Sequence, residues 1–427
     1  MVGFRTATTL TATIIAAAGA VPASAPAVEH APAHAAAKRQ IVFERWSGPG
    51  LQAGRVNGAR VRHGSIVIGP GAVRARYNDP YDHAGPRPYD RGRWTSPWAH
   101  TPFGLTELIA SYDAKTPVGT FIEIWVRGRS GSGALSSWDS LGRWASHDTR
   151  FHRMSLGPQA DDLSSVAVDT LTTHQGVRYR AWQLRVDLFR HAGGDATLAV
   201  EMVGAMASRV PDRSGAVSRP GSTAGTALAV PRFSQEIHQG EYPQWNGGGE
   251  AWCSPTSTSM VLAYWNRGPK PRQYAWVDHR YRQPWVDYAA RYTYASGYDG
   301  TGMWPFNTAY ASRFGLDAFV TRLRSLREAE LFISAGIPLV ASIAFGKGEL
   351  DGAPIDSTNG HLLVIRGFTA RGDVRVNDPA APSAKTVART YRRGQFERAW
   401  IGATGGVAYV IHPRSTPLPA PGRHSNW

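Results

Sequence analysis

A chain of 427 residues with a single cysteine has to fold without any internal disulfide. Its stability must then come from a hydrophobic core. A hydrophobic fraction of 42% over this length is enough for two domains of ordinary size. The cysteine, Cys253, stands in Trp252-Cys253-Ser254-Pro255-Thr256-Ser257, directly ahead of an apolar helical pattern. A lone thiol is either a small buried hydrophobe or a group kept for its reactivity. Ser254 is predicted as N-cap and Pro255 as the first helical residue, with Met260, Val261, Tyr264 and Trp265 at helical spacing toward a core. Cys253 then lies at the helix entrance, where unpaired N–H groups and the positive end of the helix dipole favour a thiolate.

At the N-terminus Arg5 precedes an apolar, small-residue run from Leu10 to Val21 and an Ala23-Ser24-Ala25 cleavage signal. Residues 1–25 are therefore read as a signal peptide, and the protein as secreted, extracellular or associated with the cell wall. The run is too short and too alanine-rich to persist as an anchor, and no later stretch is long enough to span a bilayer, so no stable membrane span is expected. The formal charge is +15 and becomes +14 when Arg5 leaves with the signal. Such a surface attracts anionic polymers, of which cell-wall polymers and lipid headgroups are nearest to an exported protein. The arginines are scattered among Gly, Asp and Tyr without a basic helix or motif, which argues against nucleic acid as a partner.

Composition divides the rest of the chain. Residues 26–40 are Ala/Pro/His-rich and are expected to be flexible, and 208–229, dominated by Ser, Gly, Ala, Pro and Arg, reads as a linker. Between them, 41–207 shows apolar/polar alternation at Phe121–Arg127, Ser164–Leu171 and Arg178–Leu188, the pattern of an all-β sandwich or jelly roll. Trp94, Trp98, Trp125, Trp138, Trp144 and Trp182 suit either a sugar-stacking platform or, better, buried sandwich aromatics. His147, Asp148 and His152 read as solvated loop residues, and no metal-ligand cluster is evident.

Residues 230–412 mix helices at 255–265, 286–295, 307–314 and 326–335 with strands at 338–345, 362–368, 374–377 and 407–411. The Pro-rich, basic stretch 413–427 is expected to be disordered. Thr369-Ala370-Arg371-Gly372-Asp373 suits a hairpin loop. Folding about Ala370 and Arg371 puts residue 380 opposite His361 and makes Asp378 its diagonal neighbour, within hydrogen-bonding reach. A carboxylate there would hold the imidazole in one tautomer while the other ring nitrogen meets the thiol, forming a Cys-His-Asp triad. Gly360 would permit close backbone approach and Pro379 would fix the chain as it leaves the sheet.

Four segments resemble the C39-like cysteine peptidases, a secreted branch of the papain-like group. They are Val230–Gln235, Trp252–Leu262, Gly360–Phe368 and Val376–Pro379, and the likeness spans residues 230–412. It implies an α+β papain-like C-terminal domain following the all-β sandwich. It also implies Gln235 as oxyanion donor, Cys253 as nucleophile, His361 as general base and Asp378 as orienting residue. Ser254 stands where the family has Gly, and it would crowd the oxyanion site or cap the helix. Gln235 matches the family motif, while Gln244 is nearer to Cys253 and precedes the flexible-looking Asn246-Gly247-Gly248-Gly249. The expected activity is hydrolysis of a peptide or protein substrate by a monomeric thiol enzyme through a thioester, with no metal or organic cofactor. Two alternatives are an envelope-binding protein with an inactive peptidase-like half and a related thiol acyltransferase.

Overall fold

Apolar/polar alternation over residues 40–209 becomes two antiparallel sheets of seven strands each. The first runs in the order Ser164–Ala167, Thr170–Thr173, Glu107–Lys115, Ala199–Arg209, Ser65–Ile68, Ala59–Arg62, with Gln40–Ser47 also paired to Ala199–Arg209. The second runs Asp139–Trp144, Thr120–Ser130, Tyr179–His191, Arg87–Thr95, Arg55–Asn57, with Val73–Tyr77 on Arg87–Thr95 and Ala99–Leu105 on Tyr179–His191. Their inner faces meet through aromatic rings. Trp46 of the first sheet lies edge-on to Trp94 and Trp182 of the second, at 5.9 and 5.7 Å between centroids.

The computed structural model describes residues 38–160, 162–211, 217–221, 225–421 and 425–427. The expected signal peptide and residues 26–37 of the Ala/Pro/His-rich stretch lie outside the described residues. The end of that stretch is ordered, since Gln40 opens the first strand and Arg39 donates to the Ile401 carbonyl at 2.6 Å.

The C-terminal half is α+β. Its helices are α1 (Cys253–Tyr264), α2 (Pro284–Thr293), α3 (Trp304–Ser312), α4 (Leu326–Ser334) and the short α5 (Arg393–Glu397). Six antiparallel strands follow the order Asp317–Arg322, Val407–His412, Leu339–Phe345, Thr358–Phe368, Val374–Asn377, Ala388–Tyr391. Helix α1 is buried from Ser254 to Leu262 on every side. Small hydroxyl residues make this possible by bonding to neighbours instead of water: Ser257 Oγ donates to Leu362 O at 3.0 Å and Thr258 Oγ1 to Asn307 Oδ1 at 3.3 Å.

Several expectations need correction. Ser164–Leu171, read as one strand, is a hairpin of two strands joined by Val168 and Asp169. Val168 has φ +58°, a turn position usually given to glycine, so uninterrupted alternation concealed the turn. The described parts of 208–229 are anchored and not free. Ser218 donates from its backbone N–H to Glu397 at 2.7 Å, and Leu228 N–H donates to Arg366 O at 2.7 Å. The 413–427 segment is packed at its end instead of disordered. Trp427 stacks edge-on against Phe332 at 4.8 Å, and Asn426 donates to Arg322 O at 2.7 Å and to Glu328 at 2.9 Å. A terminal indole repays ordering through buried area, which proline content alone does not reveal.

The two halves share one apolar core. Phe43 meets Phe319 at 4.7 Å and Trp144 meets Phe306 at 5.2 Å. Ser111 Oγ accepts from Val320 N–H at 2.8 Å, and ion pairs join Arg45 to Asp317 at 2.8 Å and Asp148 to Arg291 at 2.6 Å. The described residues from Lys38 onward form a single compact unit. Among the described residues no helix is long and apolar enough to cross a membrane.

Candidate active site

Cys253 opens α1 as its first residue, and Trp252 occupies the cap position. Ser254, expected as the N-cap, makes no capping bond. Its buried hydroxyl instead shares a 2.9 Å hydrogen bond with the Tyr409 hydroxyl. The helix begins earlier than predicted because Thr256 N–H reaches Trp252 O at 3.0 Å. Trp252, fully buried, is held by its indole N–H on Trp245 O at 2.7 Å, which fixes the chain just before the thiol.

The hairpin that carries His361 and Asp378 reaches the expected register by an unexpected route. Next to the loop Phe368 pairs with Val374 and Gly367 with Arg375. A bulge at Arg366 then shifts the ladder, so that Ile365 pairs with Val376 and Val364 with Asn377. That shift restores the register expected of a hairpin centred between Ala370 and Arg371, and the ladder ends at Val364–Asn377, short of His361. The bulge lies where the segment before Leu228 packs against the strand. A Cβ at Gly367 would come within 2.3 Å of Thr226 O. At Gly360 a Cβ would meet nothing within 4 Å, so the close approach expected there is absent.

His361 Nε2 lies 2.8 Å from Asp378 Oδ1, and His361 and Cys253 line the same cleft. The Asp378 carboxylate is saturated: Oδ1 also accepts from Ala380 N–H at 3.1 Å, and Oδ2 accepts from the Tyr391 hydroxyl at 2.7 Å. Burial works against a charged imidazole. The carboxylate's charge and hydrogen bond outweigh it, with help from the thiol, and His361 is pushed up to about 10. Burial likewise works against ionised Asp378, but His361 and the Tyr391 hydroxyl hold it below the ordinary carboxylate value. Burial and Asp378 push the Tyr391 hydroxyl upward, so it remains a donor. Tyr391 was not legible as a site residue, because it ends a four-residue edge strand with no distinguishing pattern.

Gln235 is 3% exposed and lines the same cleft as Cys253 and His361, while Gln244 is exposed and outside the cleft lining. Two anchors place Gln235: its N–H donates to Pro379 O at 2.9 Å, and its Nε2 donates to Glu250 O at 2.5 Å. Pro379 therefore links the Asp378 strand end to Gln235. Ser234 Oγ on Ala381 O, and Asn377 Nδ2 on Val230 O and Pro231 O, tie the same two segments together.

The cleft has a volume of about 640 Å³. One wall comes from the first half of the chain, through Ala167, Val168, Asp169 and Thr170. Asp169 is 5% exposed, and its carboxylate accepts from Trp304 N–H at 2.9 Å at the start of α3 and from Thr170 Oγ1 at 3.0 Å. Burial pushes it up to about 6 against these bonds. No sequence signal linked this turn to the thiol, since the contact depends on how the halves dock.

The six tryptophans separate by position. Trp94, Trp144 and Trp182 are fully buried, whereas Trp98, Trp125 and Trp138 are half-buried under arginines. Arg127 lies over Trp98 and Trp138, and Arg185 over Trp125 and Trp138, at 4.3–5.2 Å. His147, expected to be solvated, is buried with Nε2 3.0 Å from Thr120 O, and Asp148 is paired with Arg291. Elsewhere, His238, Glu241 and Asp287 bring ligand-type atoms within 4.8 Å of one another, a grouping that their separation in sequence hid. His238 Nδ1 lies 2.7 Å from Glu241 and 3.4 Å from Asp287, and the two carboxylates overcome burial to hold the imidazole above its ordinary value. The arrangement is that of a buried, charge-paired triad.

No curated protein matches the chain. Similar solved structures include a carbohydrate-binding module of the β-sandwich superfamily, at 11% identity and TM-score 0.18 over 38% of this chain and 56% of that one. The CBM22-1-GH10 modules of Clostridium thermocellum xylanase 10B match at 8% identity and TM-score 0.21, over 46% and 33%. TmCBM61 with β-1,4-galactotriose matches at 8% and 0.16, over 38% and 86%. This chain thus spans about half and a third of the first two, and at such scores the likeness bears on neither fold nor ligand. Two family models together span most of the chain: the Peptidase C39 N-terminal domain over residues 42–208 and the Peptidase_C39 like family over residues 227–408. With both models matched in tandem, the chain belongs to the C39-like peptidase family.

Proposed function

We propose that the protein is a thiol peptidase in which Cys253 is the nucleophile, His361 the proton carrier, Asp378 the orienting carboxylate and Gln235 an oxyanion donor. The observation that carries this reading is His361 itself, bonded to Asp378 at 2.8 Å and lining the same open cleft as the Cys253 thiol. His361 already holds the proton taken from the thiol when sulfur attacks the substrate carbonyl carbon. It then gives that proton to the departing amine as the C–N bond breaks, leaving a thioester on Cys253. Water attacks the thioester, passes a proton to His361, and sulfur recovers it when the acid leaves. The Gln235 amide and the Cys253 N–H would share the developing oxyanion, an interaction worth roughly 3–4 kcal/mol in comparable enzymes. A papain-like reading is supported by helix α1 packing against the strand bearing His361, the two joined by the Ser257 bond to Leu362 O.

Secretion belongs to the same proposal, on the charge, apolar run and small-residue cleavage pattern of residues 1–25. So does attraction of the basic surface to anionic wall polymers. The test is a mixed peptide library incubated with the protein and read by mass spectrometry. Cleavage is expected, and it should vanish after alkylation of Cys253 and in Cys253→Ala, whose thermal unfolding should stay within a few degrees of the parent. An intact library, or cleavage by Cys253→Ala, would refute the peptidase reading.

A further inference from the structure

The cleft has the opposite sign to the rest of the molecule. The chain carries 47 Lys and Arg against 32 Asp and Glu, yet among the described residues no Lys or Arg lines the cleft, while Asp169, Glu236 and Glu250 do. A random sample of this protein's surface would be basic.

The three carboxylates line the same cleft as the thiol. Glu236 follows Gln235 directly and is half-buried. Glu250 is exposed, and its backbone carbonyl is the group that holds the Gln235 amide. Burial first, and then the charge of Glu250, hold the Glu236 carboxyl above its ordinary value. The Glu250 carboxylate has one weak partner, Gly240 N–H at 3.3 Å. Asp169 lines the cleft from the other half of the chain, with its hydrogen bonds committed to Trp304 and Thr170 and no Lys or Arg among the described lining residues to offset its charge. A second observation points the same way. Gln235 Oε1 is an acceptor on a nearly fully buried side chain and has no partner among the described residues. An ammonium or guanidinium supplies both the missing charge and the missing donors.

We propose that the cleft binds cationic peptides, with a Lys or Arg side chain close to the scissile bond held between Glu236 and Glu250. This rests on the peptidase reading and names its substrate class. The charge separation also sorts polymers: anionic chains are drawn to the outer surface and repelled from the cleft, whereas a cationic peptide is attracted only within it.

The test uses fluorescent peptides identical except for Lys, Ala or Glu at each of four successive positions, bound to the full-length Cys253→Ala protein and read by anisotropy. At one position or more, Lys is expected to bind about tenfold more tightly than Ala, and Ala more tightly than Glu, with the spread shrinking as salt is raised. Glu236→Gln and Glu250→Gln should each cut the Lys-to-Ala ratio by about threefold or more. Equal binding, preference for Glu, or no binding of any peptide overturns the proposal. Turnover of the same peptides by the wild-type protein keeps the two readings apart. Lys preference in binding without Cys253-dependent cleavage would sink the peptidase reading and leave the cation site. Cleavage indifferent to charge would do the reverse.

Discussion

At the scale of single residues, the balance at His361 is the feature with the clearest consequences. Its ordinary value of 6.5 rises to about 10 in the fold. Its contribution to stability is therefore complete below about 6.5 and is lost as pH rises through about 10. Protonation of a leaving amine by the same ring should persist over that window, so the alkaline limb of kcat/KM is expected near pH 10. Asp378→Asn keeps the shape but removes the charge that offsets burial. It should lower kcat by orders of magnitude, about 10⁴ by analogy with the serine enzymes, and move the alkaline limb toward neutral pH. An unchanged pH–rate profile would take Asp378 out of the mechanism. Tyr391→Phe leaves Asp378 Oδ2 without its donor and should cost about 1–3 kcal/mol of stability. Acting through Asp378, it should also shift the pH profile in the same direction as Asp378→Asn, by less. A stability loss with no shift in the profile would mark Tyr391 as purely structural.

Among elements, the Val168–Asp169 turn matters most, because it joins a hairpin of the first half to the start of α3 in the second. Asp169 is raised from 3.8 to about 6, so its effect on stability is favourable below about 3.8 and is lost as pH rises through about 6. Roughly two pH units correspond to about 3 kcal/mol at 1.36 kcal/mol each. Asp169→Asn keeps an acceptor for Trp304 N–H and cannot ionise. Its melting temperature should gain on the parent by a few degrees between pH 4 and pH 7, read by circular dichroism at each pH. A constant difference across that range would show that Asp169 does not titrate as its burial implies. Helices α1 to α4 and the central strands were legible because apolar spacing and turn residues marked them. The Val168 turn was not, since a β-branched residue with positive φ leaves no signature, and neither was the Arg366 bulge, which exists because residues 226–228 press against Gly367.

For the whole molecule, the shared core changes the expectation raised by the composition of 208–229. A chain starting at Thr226 would expose Phe306, Phe319 and Val320, lose the Asp169 bond at α3, and lose one wall of the cleft. It is expected to aggregate or to lack small-peptide turnover, whereas the intact protein should unfold in one transition with coincident circular dichroism and tryptophan fluorescence. A soluble truncated chain with full turnover would show the interface to be dispensable. Separate melting of the two halves would say the same.

Chemical identity was written in the sequence. The single cysteine before a helix, the His and Asp at opposite ends of a hairpin, and the Gln ahead of them are local patterns, each set by residue type and spacing over a few turns or strands. What the tertiary structure alone decided was the company those residues keep. Tyr391 reaches Asp378, Pro379 O holds Gln235, and an acidic turn from a distant sheet closes the cleft, because burying one continuous apolar core brings together segments whose separation along the chain leaves no periodic trace. The same docking anchors the described parts of a tail and a linker whose composition reads as loose, since burial of Trp427 and pairing of Ser218 with Glu397 outweigh local preference.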